Sequence, residues 1–107
     1  MDDRELVSRF EACTLPAEHF SHRNHVRVAW VYLSEVPLPE ARDRFVVALK
    51  RYAASLGAAT KYSEAITFAY MAAIHEAMQA GRWASFDDFA AANPELFDGS
   101  AVRAAAL

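Results

Sequence analysis

Residues 21–35 read Ser21-His22-Arg23-Asn24-His25-Val26-Arg27-Val28-Ala29-Trp30-Val31-Tyr32-Leu33-Ser34-Glu35 and predict an amphipathic helix from about His22 to Glu35. Ser21 is the expected N-cap, because its hydroxyl can accept a hydrogen bond from a free backbone N–H of the first turn. Pro37-Leu38-Pro39 then breaks the pattern. The residues predicted to form the buried stripe of this helix are Val26, Ala29, Trp30, Leu33 and Val36.

Apolar residues recur at helical spacing on both sides of this segment, and the further helices have recognisable starts and stops. Pro39 suits a first helical turn, where its missing N–H costs nothing, and Gly57 suits a left-handed helix end. Ser85 and Asp88 have the spacing of a capping box. The further predicted helices are a first from Asp2 to about Ala12, a third from Pro39 to Leu56, a fourth from Tyr62 to Ala80 and a short one from Ser85 through Phe89.

No segment alternates apolar and polar residues as a half-buried strand does, and no internal repeat is present. We therefore predict a single all-α domain over residues 1–107. It is expected to be a small bundle of four main helices plus a short C-terminal helix, in which short connections favour antiparallel neighbours. Asp98-Gly99 is typical of a turn, and residues 100–107 of a frayed helix or a disordered tail.

The composition limits the classes of function. Of the 107 residues, 54% are hydrophobic and 23% are charged, which is typical of a globular domain. A formal net charge of −3 argues against nucleic acid as a partner. No apolar run approaches the roughly 18 to 20 residues that a membrane helix requires, and the acidic residues 1–5 do not resemble a secretory signal. We expect a cytoplasmic protein that binds neither nucleic acid nor membranes.

The cysteine content agrees with a cytoplasmic location. Cys13 is the single cysteine of the chain, so no intrachain disulfide can form and a reducing compartment is indicated. Its apolar neighbours predict a buried, unreactive thiol.

Three of the four histidines, His19, His22 and His25, fall within seven residues at the start of the second helix. Residues three apart share a helix face, so His22 and His25 are expected to project together. A cationic imidazole at a helix N-terminus is disfavoured by the helix dipole, and we expect both pKa values to be lowered. Neutral imidazole is the form that binds metals and acts as a general base.

Three interpretations of this pair stay open from the residues alone: capping and packing, a metal site with a divalent ion such as zinc, or a metal-free site for a small polar ligand. A zinc centre needs three or four protein ligands, so two histidines are not sufficient. The candidate ligands are His22, His25, Glu64 and His19, and the candidate pocket wall consists of Thr67, Trp30, Tyr62, Phe68 and Ser63.

The remaining candidates each have a simpler alternative. His19 precedes the helix and can equally lie on the surface, and Glu64 can serve only to offset a helix dipole. His75 is placed outside the site by arithmetic, because eleven residues of helix separate it from Glu64 by about 16 Å. The chain contains no glycine-rich phosphate loop, Gly-x-Ser-x-Gly, Cys-x-x-Cys or His-Glu-x-x-His motif, so no reaction is assigned.

The stretch Phe20-Ser21-His22-Arg23-Asn24-His25-Val26-Arg27-Val28-Ala29-Trp30 resembles a family of small uncharacterised bacterial all-helical proteins with the pattern Phe-x-His-x-x-His-Val/Leu-x-x-Ala-Trp. Tyr62-Ser63-Glu64-Ala65-Ile66-Thr67 is similar to a later motif of that family, Tyr-His-x-Thr-Ile/Leu-Thr. The resemblance implies a site that joins the two segments. Ser63 stands where the family has a third histidine, which leaves Glu64 or His19 to complete the site.

Two functional hypotheses follow. In the first, a cytoplasmic helical protein binds a metal ion or a small polar ligand in a pocket between the second and fourth helices, and whether it also catalyses a reaction is left open. In the second, the chain is a non-catalytic interaction module, a homodimer, in which the histidines only cap and brace a helix. The second rests on the wide apolar arc of the fourth helix from Ile66 to Met78.

Overall fold

The computed structural model describes residues 1–98, and all regular structure in that part of the chain is helical. The α-helices are α1 (Asp3–Glu11), α2 (His22–Glu35), α3 (Leu38–Ser55), α4 (Glu64–Gln79) and α5 (Phe86–Ala92). Short 3-10 turns span Ala17–His19, Ala59–Lys61 and Pro94–Leu96. The predicted all-α class is confirmed, and these helix lengths are compatible with four main helices plus a short one. The predicted tail, residues 100–107, lies outside the described residues, as does Gly99 of the predicted turn.

Local side-chain caps explain where the helices begin. The Ser21 hydroxyl accepts a hydrogen bond from the backbone N–H of Asn24 at 3.2 Å, and Ser85 does the same for Asp88 at 3.2 Å. Each cap satisfies a backbone donor that has no partner inside its own helix. At the other end of α3, Gly57 has φ +71°, which is the left-handed conformation that ends a helix at little cost.

The fourth helix begins later than the predicted Tyr62. Residues 59–61 form a 3-10 turn, and Tyr62 and Ser63 then take extended backbone conformations. The Ser63 hydroxyl accepts from the N–H of Ile66 at 3.3 Å, so Ser63 is the N-cap and Glu64 the first helical residue. A serine that can bond to the backbone favours a cap over a helix interior.

Helices α1, α2 and α3 pack against one another, and α4 packs against α2 and α3. Phe10 of α1 is fully buried at their junction. Its ring centroid lies 5.1 Å from that of Phe20, 5.9 Å from Phe45 and 5.3 Å from Tyr52. We call Phe10, Phe20, Phe45 and Tyr52 the aromatic cluster. It joins α1, the loop before α2, and α3.

The buried face of α2 is wider than the predicted stripe. Val28 and Tyr32 are buried although they lie off that stripe, whereas Trp30, Leu33 and Val36 are only partly buried. The physical reason is that α2 is contacted by three helices, α1, α3 and α4, so that more than one side of it is covered.

Some apolar residues of the predicted helices are exposed. Leu56 is 46% exposed because α3 ends at Ser55, and on α4 the exposed fractions of Ile66 and Phe68 are 49% and 37%. Cys13 is partly buried rather than fully buried. None of the helices within residues 1–98 combines the length and hydrophobicity that spanning a bilayer requires.

The Tyr52 hydroxyl donates a hydrogen bond to the backbone carbonyl of Leu15 at 2.8 Å, in a buried position. We predict that Tyr52→Phe lowers the free energy of unfolding by about 1–3 kcal/mol, because the Leu15 carbonyl is left buried without its partner. Urea unfolding measures the change.

Tyr70→Phe is the matched control, because the Tyr70 hydroxyl makes no hydrogen bond to any described residue. Its expected effect is within about 0.5 kcal/mol. Equal losses in both variants would contradict a specific role for the Tyr52 hydroxyl.

Candidate functional site

His22 and His25 lie in the first turn of α2, directly after the Ser21 cap. The backbone N–H of His25 donates to the Ser21 carbonyl at 2.8 Å, which fixes the first turn. The two imidazole centroids are 6.4 Å apart. The spacing of the sequence therefore brings these two rings together, and we call His22 and His25 the histidine pair.

The His22 ring connects α2 to α4 and to the end of the described chain. Its Nε2 lies 2.9 Å from the carbonyl oxygen of Leu96. Because a carbonyl can only accept, Nε2 carries the proton and donates, so that Nδ1 of the neutral ring holds the free lone pair. The ring centroid also lies 5.1 Å from Tyr70 and 6.1 Å from Phe97.

Leu96, Tyr70 and Phe97 were not predicted as neighbours of the histidines. Tyr70 lies one helical turn after Thr67. The later motif therefore indicated the helix that contacts His22, but it pointed to Thr67 and not to Tyr70. For Leu96 and Phe97 no local pattern exists, since they lie more than seventy residues from His22 in the chain.

The His25 ring is part of the aromatic core rather than of a polar surface. It stacks on Phe20 with centroids 5.0 Å apart and lies 5.3 Å from Phe45. Burial and, to a smaller extent, the neighbouring His22 lower the pKa of His25 to about 4. The lowered pKa was predicted, but its main cause is burial and not the helix dipole. Neither ring nitrogen of His25 bonds to any residue in the described part of the chain.

The predicted carboxylate, Glu64, has a different environment. Its Oε1 lies 3.9 Å from Nζ of Lys50, and both side chains are more than half exposed. The same Nζ lies 5.3 Å from the ring centroid of Tyr62. Glu64 and Tyr62 are therefore grouped around Lys50, at the contact between α3 and α4.

The other predicted wall residues are distributed over the molecule. Thr67 is buried, and its hydroxyl donates to the Ser63 carbonyl at 2.9 Å. Phe68 lies under the guanidinium of Arg42 at 4.7 Å. Trp30 packs edge-on against Phe86 with centroids 5.7 Å apart. The structure thus brings Ser63 and Thr67 together, and no hydrogen bond or ring contact within residues 1–98 links these wall residues to the histidine pair.

No hydrogen bond or ring contact within residues 1–98 links the two remaining histidines to the pair. His19 is exposed, and its backbone carbonyl accepts a hydrogen bond from the Asn24 side chain at 2.7 Å. His75 is partly buried near the far end of α4. Within residues 1–98, no group of three or more His, Cys, Asp or Glu side chains is placed to hold a metal ion.

Comparison with known families, with curated proteins and with solved structures found no match to this chain.

The partly buried imidazole of His25 predicts a pH dependence of stability. The unfolded chain, in which the histidine pKa is 6.5, takes up a proton between pH 6.5 and about 4 that the folded chain does not take up. Stability therefore falls as the pH falls through this range, by at most about 3 kcal/mol from this group. We expect His25→Phe, which preserves the stacking, to reduce that loss, as measured by urea unfolding at several pH values.

His19→Gln is the control, because His19 is exposed and its removal should leave the pH dependence intact. If His25→Phe and the unsubstituted protein lose the same free energy between pH 6.5 and 4, the side chain of His25 is not kept neutral by the fold.

Proposed function

We propose that this chain is a small helical binding protein whose histidine pair binds a metal ion or a small polar ligand. The observation that carries the proposal is the His25 imidazole, which is partly buried and has no hydrogen-bond partner among the described residues. The His25 nitrogens are not among the fully buried polar atoms that lack a partner, so they are accessible from outside and open to a ligand.

The chemistry of the pair supports this use. The His22 Nδ1 is free to accept, because Nε2 of the same ring is bonded to the Leu96 carbonyl. His25 in its neutral form adds a second acceptor nitrogen within the same helical turn. Two neutral imidazoles can accept hydrogen bonds from a ligand, act as a general base, or coordinate a divalent ion such as zinc. For a metal ion they supply two protein ligands, so other ligands would come from solvent or from a bound small molecule.

The lone cysteine favours a reducing compartment, and we place the protein in the cytoplasm on that ground. The resemblance to small bacterial helical proteins agrees with this location.

The proposal is tested by NMR of tag-free protein, following the imidazole nitrogens during titration with zinc chloride and with a set of small alcohols, amides and carboxylic acids. We expect saturable shifts of His22 and His25 that disappear in His25→Gln. His75→Gln is the matched control, because it also removes one partly buried histidine but leaves the pair intact.

Two results would contradict the proposal. One is the absence of any saturable shift at the pair with zinc and with every member of the set. The other is zinc binding that His75→Gln weakens as much as His25→Gln does.

A second candidate function is the interaction module, in which the histidines brace the fold. The hydrogen bond from His22 to Leu96 favours it, since it gives His22 a structural role. The exposed Ile66 and Phe68 on α4 provide an apolar surface for a second copy of the chain.

We expect light scattering to show a dimer that Ile66→Glu dissociates, and a monomer at high protein concentration would contradict this function.

A further inference from the structure

Tyr70 is a third polar group beside the histidine pair. Its ring centroid lies 5.1 Å from that of His22, and its side chain is partly buried on α4. The Tyr70 hydroxyl makes no hydrogen bond to any described residue and is not among the fully buried polar atoms, so a ligand can reach it. A tyrosine hydroxyl both donates and accepts. Tyr70 therefore adds a donor beside His22, whose free nitrogen can only accept.

The free polar groups of this site include both donors and acceptors. Nδ1 of His22 accepts, because Nε2 of the same ring donates to the Leu96 carbonyl. The neutral ring of His25 has one acceptor nitrogen and one N–H donor, and neither has a partner within residues 1–98. With the Tyr70 hydroxyl, the site thus offers two nitrogens that accept and two groups that donate.

The surroundings of these groups favour an uncharged ligand. Burial and His22 are the causes of the lowered pKa of His25, and no carboxylate of the described residues contributes to it. Arg23, which follows His22 in the chain, already forms an ion pair with Asp87 at 2.7 Å, and its guanidinium lies 5.1 Å from the ring centroid of Phe86. Burying a charge without a partner is costly. The site therefore suits a neutral polar group better than an ammonium group or a carboxylate.

Apolar and aromatic side chains lie beside the polar groups of the site. The ring centroid of Phe97 is 6.1 Å from that of His22, in an edge-on arrangement. Ile66 lies one turn of α4 before Tyr70, on the same side of the helix, and is 49% exposed. An aromatic group of a ligand can therefore pack beside Tyr70 and Ile66 while its polar end reaches the imidazoles.

We propose that the histidine pair and Tyr70 bind a primary carboxamide carried on an aromatic ring. A primary carboxamide is uncharged and has two N–H donors and a carbonyl acceptor. The N–H groups donate to Nδ1 of His22 and to the acceptor nitrogen of His25, and the carbonyl accepts from the Tyr70 hydroxyl. The aromatic ring packs beside Ile66. This assignment rests on the proposed function, in which the pair binds a small polar ligand, and it names the class of that ligand.

The test is an NMR titration of the full chain with benzamide, following the ring signals of His22, His25 and Tyr70. We expect saturable shifts of all three rings. N,N-Dimethylbenzamide keeps the carbonyl but has no N–H group, and benzoate carries a charge and donates no hydrogen bond. Both should bind at least about tenfold more weakly than benzamide, because the donors to the two imidazoles are lost.

Tyr70→Phe removes the proposed hydroxyl contact and keeps the ring. The variant should fold with nearly unchanged stability, since that hydroxyl has no partner among the described residues, yet bind benzamide about fivefold more weakly. Tyr62→Phe is the matched control, because it also removes a tyrosine hydroxyl but from a ring that lies beside Lys50. It should leave the benzamide affinity unchanged.

Three results would overturn the carboxamide assignment. They are no saturable shift with benzamide, equal affinity for N,N-dimethylbenzamide, and an affinity that Tyr70→Phe weakens no more than Tyr62→Phe does. If zinc, an alcohol or a carboxylic acid gives saturable shifts at the pair while benzamide gives none, the carboxamide assignment fails and the proposed function stands. The absence of shifts with zinc and with every small molecule contradicts both.

Discussion

The burial of Phe10 against three other aromatic rings is the constraint on which the rest of the structure depends. A fully buried phenylalanine contributes a large apolar area, and offset or tilted ring pairs add to it. The aromatic cluster fixes α1 against α3 and holds the loop before α2 through Phe20. The same Phe20 ring stacks on His25, so the position and the neutral state of this imidazole follow from hydrophobic packing. Val7 and Glu11 of α1 also line an open groove together with residues of α2 and α3, so this groove depends on the same packing of α1.

Much of the helical structure could be predicted because its causes are local. Ser21, Ser85 and Gly57 act on the backbone within a few residues of themselves, and they begin or end helices as expected. The predicted start of α4, Tyr62, lies two residues before the observed start, Glu64. The reason is that Ser63 has an extended backbone conformation and caps the helix that follows it. The exposure of Leu56, Ile66 and Phe68 was harder to predict, because helical periodicity indicates an apolar face but not whether a neighbouring helix covers it.

At the candidate sites, contacts within one helical turn could be predicted from the sequence and contacts between distant segments could not. The spacing of His22 and His25 predicted that their rings are neighbours, since one helical turn decides this. Nothing local indicated that Leu96 would accept a hydrogen bond from His22. That Glu11, Glu35 and Asp43 line one groove could not be predicted for a related reason: they come from three helices, and each alone looks like an ordinary solvated side chain. The role of Glu64 as a ligand stays a prediction, and in the structure its neighbour is Lys50.

The hydrogen bond between His22 and Leu96 joins two segments separated by 74 positions in the chain. The two nitrogens of the His22 ring therefore differ. Nε2 donates to a carbonyl of the 3-10 turn Pro94–Leu96, and Nδ1 is open to a ligand. A ligand that draws electron density from Nδ1 makes the N–H on the other side a stronger donor. By thermodynamic reciprocity, docking of that turn then increases the affinity of the ring for the ligand. On the proposal that the histidine pair binds a ligand, ligand binding at the start of α2 and docking of the turn at Leu96 are therefore linked through this one imidazole.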